Sequence, residues 1–295
     1  MSVETSLADT RVSWGAPAGT ARRSLGVAGK AAGYGFLLLV TAAVLYPLCF
    51  TVSTALKSPV EYATNELGLV HHPTTANFSY LISEAQVGTG LRNSLIVALG
   101  AIVLLWICGS MAGFAVAKLR FRGRIAFFLV VLSSGLVPFQ TIVAPIYAEL
   151  HQFHLLDSYV GLILVYAALG MPITVFIFAA YFGGLPSSLI EAARLDGAST
   201  LGILTRVIVP MALPALAITG ILNFVMVFND LLTPLLVMQS PDKQLFVVGI
   251  AQALGRFQEP TQMAAGIVIG LVPLTVTFLF AQRYLIRGVT AGAVR

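Results

Sequence analysis

Long apolar runs alternate with short polar stretches along the chain, and six of the runs are long enough to cross a bilayer. They fall at about 31–52, 93–117, 126–148, 159–182, 210–238 and 263–285, each near the ~20 residues a membrane helix needs. Backbone polar groups must find partners within the segment in lipid, so runs of this length predict helices and not strands. Prolines stand in or beside the runs at Pro47, Pro138, Pro145, Pro172, Pro214, Pro234 and Pro273, where each removes a hydrogen bond and permits a bend. The third run, with Gly135, Pro138, Gln140, Thr141 and Pro145, is the least regular and is expected to face a pathway. Late in the second run, Gly109, Ser110, Ala112, Gly113, Ala115 and Ala117 permit close helix contact.

Composition agrees with this pattern. Apolar residues make up 58% of the chain, charged residues 10%, and mean hydropathy is +0.91, well away from soluble domains, about a quarter of whose residues are charged. The connecting stretches are too short for a separate enzyme domain. The net charge of +5 comes from Lys and Arg beside apolar runs, where they orient a membrane protein; it does not point to nucleic acid. With the N-terminus inside, thirteen basic residues (Arg11, Arg22, Arg23, Lys30, Lys118, Arg120, Arg122, Arg124, Arg194, Arg206, Arg283, Arg287, Arg295) lie in the cytoplasm, against Lys57, Arg92, Lys243 and Arg256 outside. The expected organisation is a disordered cytoplasmic tail over 1–30, a six-helix membrane domain over 31–285 and a cytoplasmic tail over 286–295.

Candidate chemistry is sparse. Cys49 and Cys108 sit in apolar runs at different depths, which predicts packing residues and no disulfide. His151 and His154, near Glu149 and Asp157, lack the further ligands that a metal site requires, so no metal is expected. No Gly-rich phosphate loop ending in Lys-Ser or Lys-Thr is present, so the chain is expected to be a non-enzyme that binds no cofactor itself. In the long outside stretch 53–92, Phe78, Tyr80, Leu81 and Ile82 offer an apolar face that either rests on the membrane surface or belongs to a plain connection. Asp230 is the one ionisable residue expected well inside a span, at a cost of roughly 2.5–3.5 kcal/mol. It borders a pathway with Asn229, and with Gln140 of the third run, or it is a buried structural group satisfied by another helix.

Between the fourth and fifth runs, a polar hinge over about 183–209 contains Gly183-Gly184-Leu185-Pro186-Ser187-Ser188, a turn whose serines can cap a helix beginning near Leu189. Glu191 is then expected in the first turn of that helix, with Gly197 ending it or admitting another backbone. A solvated loop with a weak Glu191–Arg194 pair is the alternative.

Glu191-Ala192-Ala193, then Gly197, then Val207-Ile208-Val209-Pro210, with Asp196 and Ala198 between, resembles the EAA signature of the permease subunits of bacterial ATP-binding-cassette importers. Val207 and Val209 depart conservatively from its Ile and Leu. Ala115-Val116-Ala117-Lys118-Leu119-Arg120-Phe121-Arg122-Gly123, Pro138-Phe139-Gln140, Pro145-Ile146-Tyr147, Leu155-Leu156-Asp157-Ser158-Tyr159 and Thr290-Ala291-Gly292-Ala293-Val294 are similar to further segments of its maltose-type carbohydrate branch. Phe228 stands where that branch often has tryptophan.

The resemblance implies an all-α membrane protein with six transmembrane helices in the type I ABC importer permease fold. The protein would sit in the plasma or inner membrane as the permease subunit of a sugar or oligosaccharide importer. Its partners would be a second, homologous permease, two ATPase subunits that bind ATP and Mg, and an extracellular or periplasmic solute-binding protein. Glu191, Ala192, Ala193, Leu195, Asp196 and Gly197 would form the ATPase-coupling site. Thr290, Ala291, Gly292 and Ala293 would form a C-terminal coupling tail. Importers of glycerol phosphates or polyols are the nearby alternative. An ion-coupled secondary transporter, which would need several ionisable residues at mid-membrane, is the alternative from another class.

Overall fold

The computed structural model describes residues 27–83, 87–256 and 259–292, with side chains at 30–83, 87–252, 259–280 and 282. Every regular element among the described residues is helical: α1 (Val27–Ala55), α2 (Pro59–Thr64), α3 (Ala76–Ser83), α4 (Val87–Lys118), α5 (Arg124–Ser134), α6 (Phe139–Gln152), α7 (Tyr159–Gly183) and α8 (Ser187–Leu195). Next come α9 (Thr200–Ile203), a π turn (Leu204–Ile208), α10 (Val209–Met211), α11 (Leu213–Asn229), α12 (Leu232–Val237), a 3₁₀ turn (Pro241–Lys243), α13 (Phe246–Arg256) and α14 (Pro260–Gly292). The N-terminal tail expected over 1–30 lies outside the described residues except for the start of α1. At the other end α14 runs on to Gly292, through most of the tail expected over 286–295; Ala293 lies outside the described residues.

The chain divides into two compact units, Met1–Leu48 and Cys49–Arg295. The described part of the first, 27–48, is helix. Thr41 returns its hydroxyl to the Leu37 carbonyl at 2.8 Å, which lets a polar side chain sit on an apolar helix.

Among the described residues four helices are long and apolar enough to cross a membrane unbroken, and two bent pairs bring the number to six if each pair is one span. The third expected span is α5 and α6, bent by 96°. Gly135 ends α5 and Pro138, in extended conformation, begins α6; proline also disfavours helical geometry at the residue before it. The second bent pair, Thr200–Met211 and Leu213–Asn229 at 79°, joins the end of the hinge to the fifth expected span. Here Pro210 and Pro214 each withhold an N–H from the ladder, and Ala212 at the bend leaves the helical region.

In the second unit α4 and α7 lie side by side and run parallel. A Cβ added to Gly109 would stand 2.6 Å from Thr174 Cγ2, and one added to Gly113 would stand 2.6 Å from Phe178 Cβ and 3.1 Å from the Ala179 nitrogen. The small residues late in the second run therefore let two backbones approach, as expected. Cys49 and Cys108 are free and exposed, and so are not packing residues. Of the apolar residues of α3, Leu81 is buried and Phe78 and Tyr80 pack with Ala55, Val87, Phe246, Ala264 and Ala265, while Ile82 is exposed.

Candidate functional site

The polar hinge folds as a helix-turn-helix on the end of the bundle where α4 and α7 finish. α8 spans Ser187–Leu195 with Pro186 before it, and neither serine caps it through its side chain. Glu191 consequently lies in the second turn and not the first. No ion pair joins Glu191 to Arg194 among the described residues.

The C-terminus of α8 is closed by its own backbone. Asp196 is the C-cap residue, and Gly197 follows at φ +78°. The Ala198 N–H donates to the Ala193 carbonyl (2.9 Å) and the Gly197 N–H to that of Arg194 (3.0 Å), the two bonds of a Schellman closure. A Cβ at Gly197 would meet nothing within 4 Å, so within this chain glycine is needed for its left-handed backbone and not for space. Ser199 then caps α9, its Oγ accepting from the Gly202 N–H at 3.1 Å.

One face of α8 is bedded on the bundle. Ile190 is buried, and Ala193 and Ala198 pack in a cluster with Phe114, Phe178, Phe182, Ile203, Leu204, Ile208, Ala212 and Ala215. The opposite face carries Ser188, Glu191, Ala192 and Leu195, all exposed and related by the three- and four-residue spacing of one helix face. Leu195 is 90% exposed. Ala193 thus anchors the helix inward, while Glu191, Ala192 and Leu195 point away from the protein. Residues 290–292 are helical and their side chains lie outside the described set, as does Ala293.

The second candidate site differs from expectation. Asp230 is not at a helix centre: α11 ends at Asn229, and Asp230 is its extended C-cap residue (φ −83°, ψ 121°). Its Oδ1 accepts from the N–H of Leu232 (3.0 Å) and Thr233 (3.3 Å), which open α12. Its Oδ2 accepts from the buried Tyr166 hydroxyl (3.2 Å) and from the Thr233 hydroxyl. The carboxylate therefore bridges two helix ends and α7, and Pro234 belongs to a separate helix instead of continuing the same face. Asn229 is exposed. Gln140, at the start of α6, is exposed too, and among the described residues no hydrogen bond joins it to Asn229 or Asp230. Beside the break in the third span lies a cavity of about 480 Å³, walled by Gly135, Val137, Ile142 and Ile146 with Leu164, Val165, Ala168 and Pro172 of α7; Gln140 does not line it.

Several buried or half-buried polar residues make contacts that the sequence does not announce. Lys57 donates to the carbonyls of Asn65 (2.6 Å), Glu66 (3.1 Å) and Gly68 (2.7 Å). Asn77 donates to those of Ala55 and Lys57, both at 2.8 Å. Asn93 donates to those of Asp242 and Gln244 and accepts from the Tyr159 hydroxyl. In the bundle interior, Trp106 donates to Thr219, and Asn223 to Thr174. Asp157, at φ +52°, accepts from the Gln239 N–H, the Ser240 N–H and hydroxyl, and Lys243 Nζ (3.0 Å). Burial works against its charge, but those hydrogen bonds hold its carboxyl well below the usual carboxylate range. The same Asp157 hydrogen bond raises the pKa of Lys243. Among the described residues no group of three or more His, Cys, Asp or Glu is placed to hold a metal ion.

The family model described as binding-protein-dependent transport system inner membrane component matches residues 107–291, which include α8 and the bent fifth span. The arabinooligosaccharides transport system permease protein AraQ of Halalkalibacterium halodurans is 34% identical over 266 residues, covering 88% of this chain and 94% of that one. The diacetylchitobiose uptake system permease protein NgcG of Streptomyces coelicolor is 29% identical over 266 residues, covering 89% and 88%. A chain in the crystal structure of a bacterial ABC transporter involved in the import of the acidic polysaccharide alginate superposes with a TM-score of 0.76 at 22% identity, covering 89% of this chain and 98% of that one. The chain belongs to the family of binding-protein-dependent transport system inner membrane components: it is a multi-pass permease subunit, non-catalytic, whose transport is driven by ATP hydrolysed on separate subunits.

Proposed function

We propose that this permease subunit serves an importer of sugars or oligosaccharides and that α8 is the helix through which an ATPase subunit drives it. The substrate class is supported by the relatives named for arabinooligosaccharides and diacetylchitobiose. The observation that carries the docking role is the two-sided build of α8. Its inner face is fixed on the bundle by Ile190 and Ala193, while Glu191, Ala192 and Leu195 are left outward.

In this reading Glu191 pairs with a basic residue of the ATPase, and Ala192 and Leu195 fill the cleft around it. Asp196 and Gly197 set the turn that limits the docked helix. The assembly contains a second, homologous permease, two ATPase subunits holding ATP and Mg, and an external solute-binding protein. α8 and both termini face the cytoplasm, where thirteen of the seventeen basic residues then lie. Closure of the ATPase pair on ATP displaces α8 and shifts the permease from inward- to outward-facing, and product release returns it. Thr290, Ala291, Gly292 and Ala293 make a second contact with the ATPase pair. Asn229 and Gln140, both exposed, border the solute path, and Asp230 keeps the shape of the break beside it.

Glu191→Ala in the assembled complex tests the docking role. Removing one partner of a buried interface charge pair costs roughly 2–5 kcal/mol, so co-purification of the ATPase subunits and uptake should both fall by at least about tenfold while the chain still inserts. Unchanged co-purification and uptake would refute the assignment.

A further inference from the structure

α4 ends on Lys118, whose ammonium reaches out of its own helix. It donates to the Leu185 carbonyl at 2.6 Å and to the Gly183 carbonyl at 3.4 Å. Gly183 is the last residue of α7, so its carbonyl is among the four at a helix end that lack an intrahelical partner. Leu185 lies in the turn between α7 and α8. One side chain therefore connects three places: the end of α4, the end of α7 and the entry to α8. Its charge also meets the negative end of the α7 dipole.

The packing around this tie is apolar. Phe114, Ala117 and Leu119 on the α4 side, and Leu185 and Ile190 on the α8 side, belong to one cluster. Hydrocarbon contacts are non-directional and tolerate sliding, whereas hydrogen bonds to two particular carbonyls set one register. Without the tie, a push on α8 passes to α7 through the covalent chain and reaches α4 only through packing and, farther along the helix, the Trp106–Thr219 hydrogen bond.

We propose that Lys118 is a positioning residue of the docking joint, its hydrogen bonds to Gly183 and Leu185 making the end of α4 and the turn into α8 move as one piece. The proposal rests on the reading of α8 as the ATPase contact. It assigns Lys118 no contact with solute or nucleotide.

The test uses the complete complex with its binding protein in proteoliposomes, and reads solute moved per ATP hydrolysed. Lys118→Met should assemble and still hydrolyse ATP, but its transport ratio should fall about tenfold, as expected for losing a charged donor to two carbonyls. Lys118→Arg, which keeps charge and donors, should restore the ratio. Lys118→Gln, with an uncharged donor, should fall between them and provides a measurement should the Met variant assemble poorly. A wild-type ratio in the assembled Met or Gln variant would overturn the proposal. So would a loss of uptake that only tracks complex yield, which is what a role in stability alone produces. Glu191→Ala in parallel separates the two ideas. If it leaves ATPase binding and uptake intact, the docking reading fails; if it lowers both while Lys118→Met keeps its ratio, only the Lys118 proposal fails.

Discussion

The two ends of the parallel pair α4 and α7 are held differently, one by hydrocarbon and the other by an apolar cluster with buried polar residues set beside it. Where α8 sits, Phe114, Phe178, Phe182, Ile190, Ile203 and Ile208 meet as hydrocarbon. At the other end, Asn93, Ser94, Asn77 and Lys57 are buried polar residues bonded to backbone groups of loops and helix ends. The backbone explains the contrast. A helix satisfies its own N–H and C=O groups and can be covered by hydrocarbon, whereas an irregular segment carries free groups that cost about 1–3 kcal/mol each when buried unpaired. The polar end thus specifies a shape through directional bonds, while the apolar end relies on close packing, with the Lys118 hydrogen bonds as a directional contact there.

The contrast breaks most severely at Asn93. Asn93→Leu removes partners from the carbonyls of Asp242 and Gln244 and from the Tyr159 hydroxyl, and should cost about 3 kcal/mol or more. Thermal unfolding of the purified complex should show a marked drop in Tm; a Tm near wild type would mean that water replaces the side chain at no cost. A smaller effect is expected at the other end from Gly197→Ala, which forces a Cβ into left-handed geometry at about 1–2 kcal/mol. There the folded yield should hold while ATPase co-purification falls, and Gly197→Asn should fall less. Equal loss of yield in both would show that the turn stabilises the fold and not the docking face.

The finest test is pH. Because the Asp157 carboxyl is depressed in the fold, its contribution is fully present above the ordinary carboxylate pKa of about 4 and is lost progressively as pH falls from there through its lower folded value. The Tm difference between wild type and Asp157→Asn should accordingly stay constant from about pH 5 to 8 and narrow below about pH 4. A difference that changes between pH 6 and 8 would assign the dependence to another group.

Much of this architecture is legible in the sequence, and the failures share a cause. Hydropathy sums over a window and so finds a span whether or not its helix is continuous. The breaks at Gly135–Pro138 and at Ala212 are marked only by residues that permit a bend without requiring one. Asp230 is misplaced for the same reason: the run from Leu213 to Val237 reads as one helix, although Asp230 followed by Thr233 and Pro234 is also the pattern of a helix restarting. The proposed docking face of α8 is legible through its resemblance to a known signature, but its orientation is not, since the cluster against which Ala193 packs is drawn from five other elements. The contacts of Lys57, Asn77, Asn93 and Lys118 are not legible because their partners are backbone carbonyls, which every residue has and no letter of the sequence distinguishes.

The Schellman closure at Gly197 has a consequence for how such subunits diversify. The helix is terminated by main-chain bonds and seated by Ile190 and Ala193, so Ser188, Glu191, Ala192 and Leu195 bear little of the fold's stability. Those four positions can drift together with a partner's surface without passing through an unfolded ancestor. If α8 is the docking helix proposed above, the choice of motor and the integrity of the fold are separately heritable.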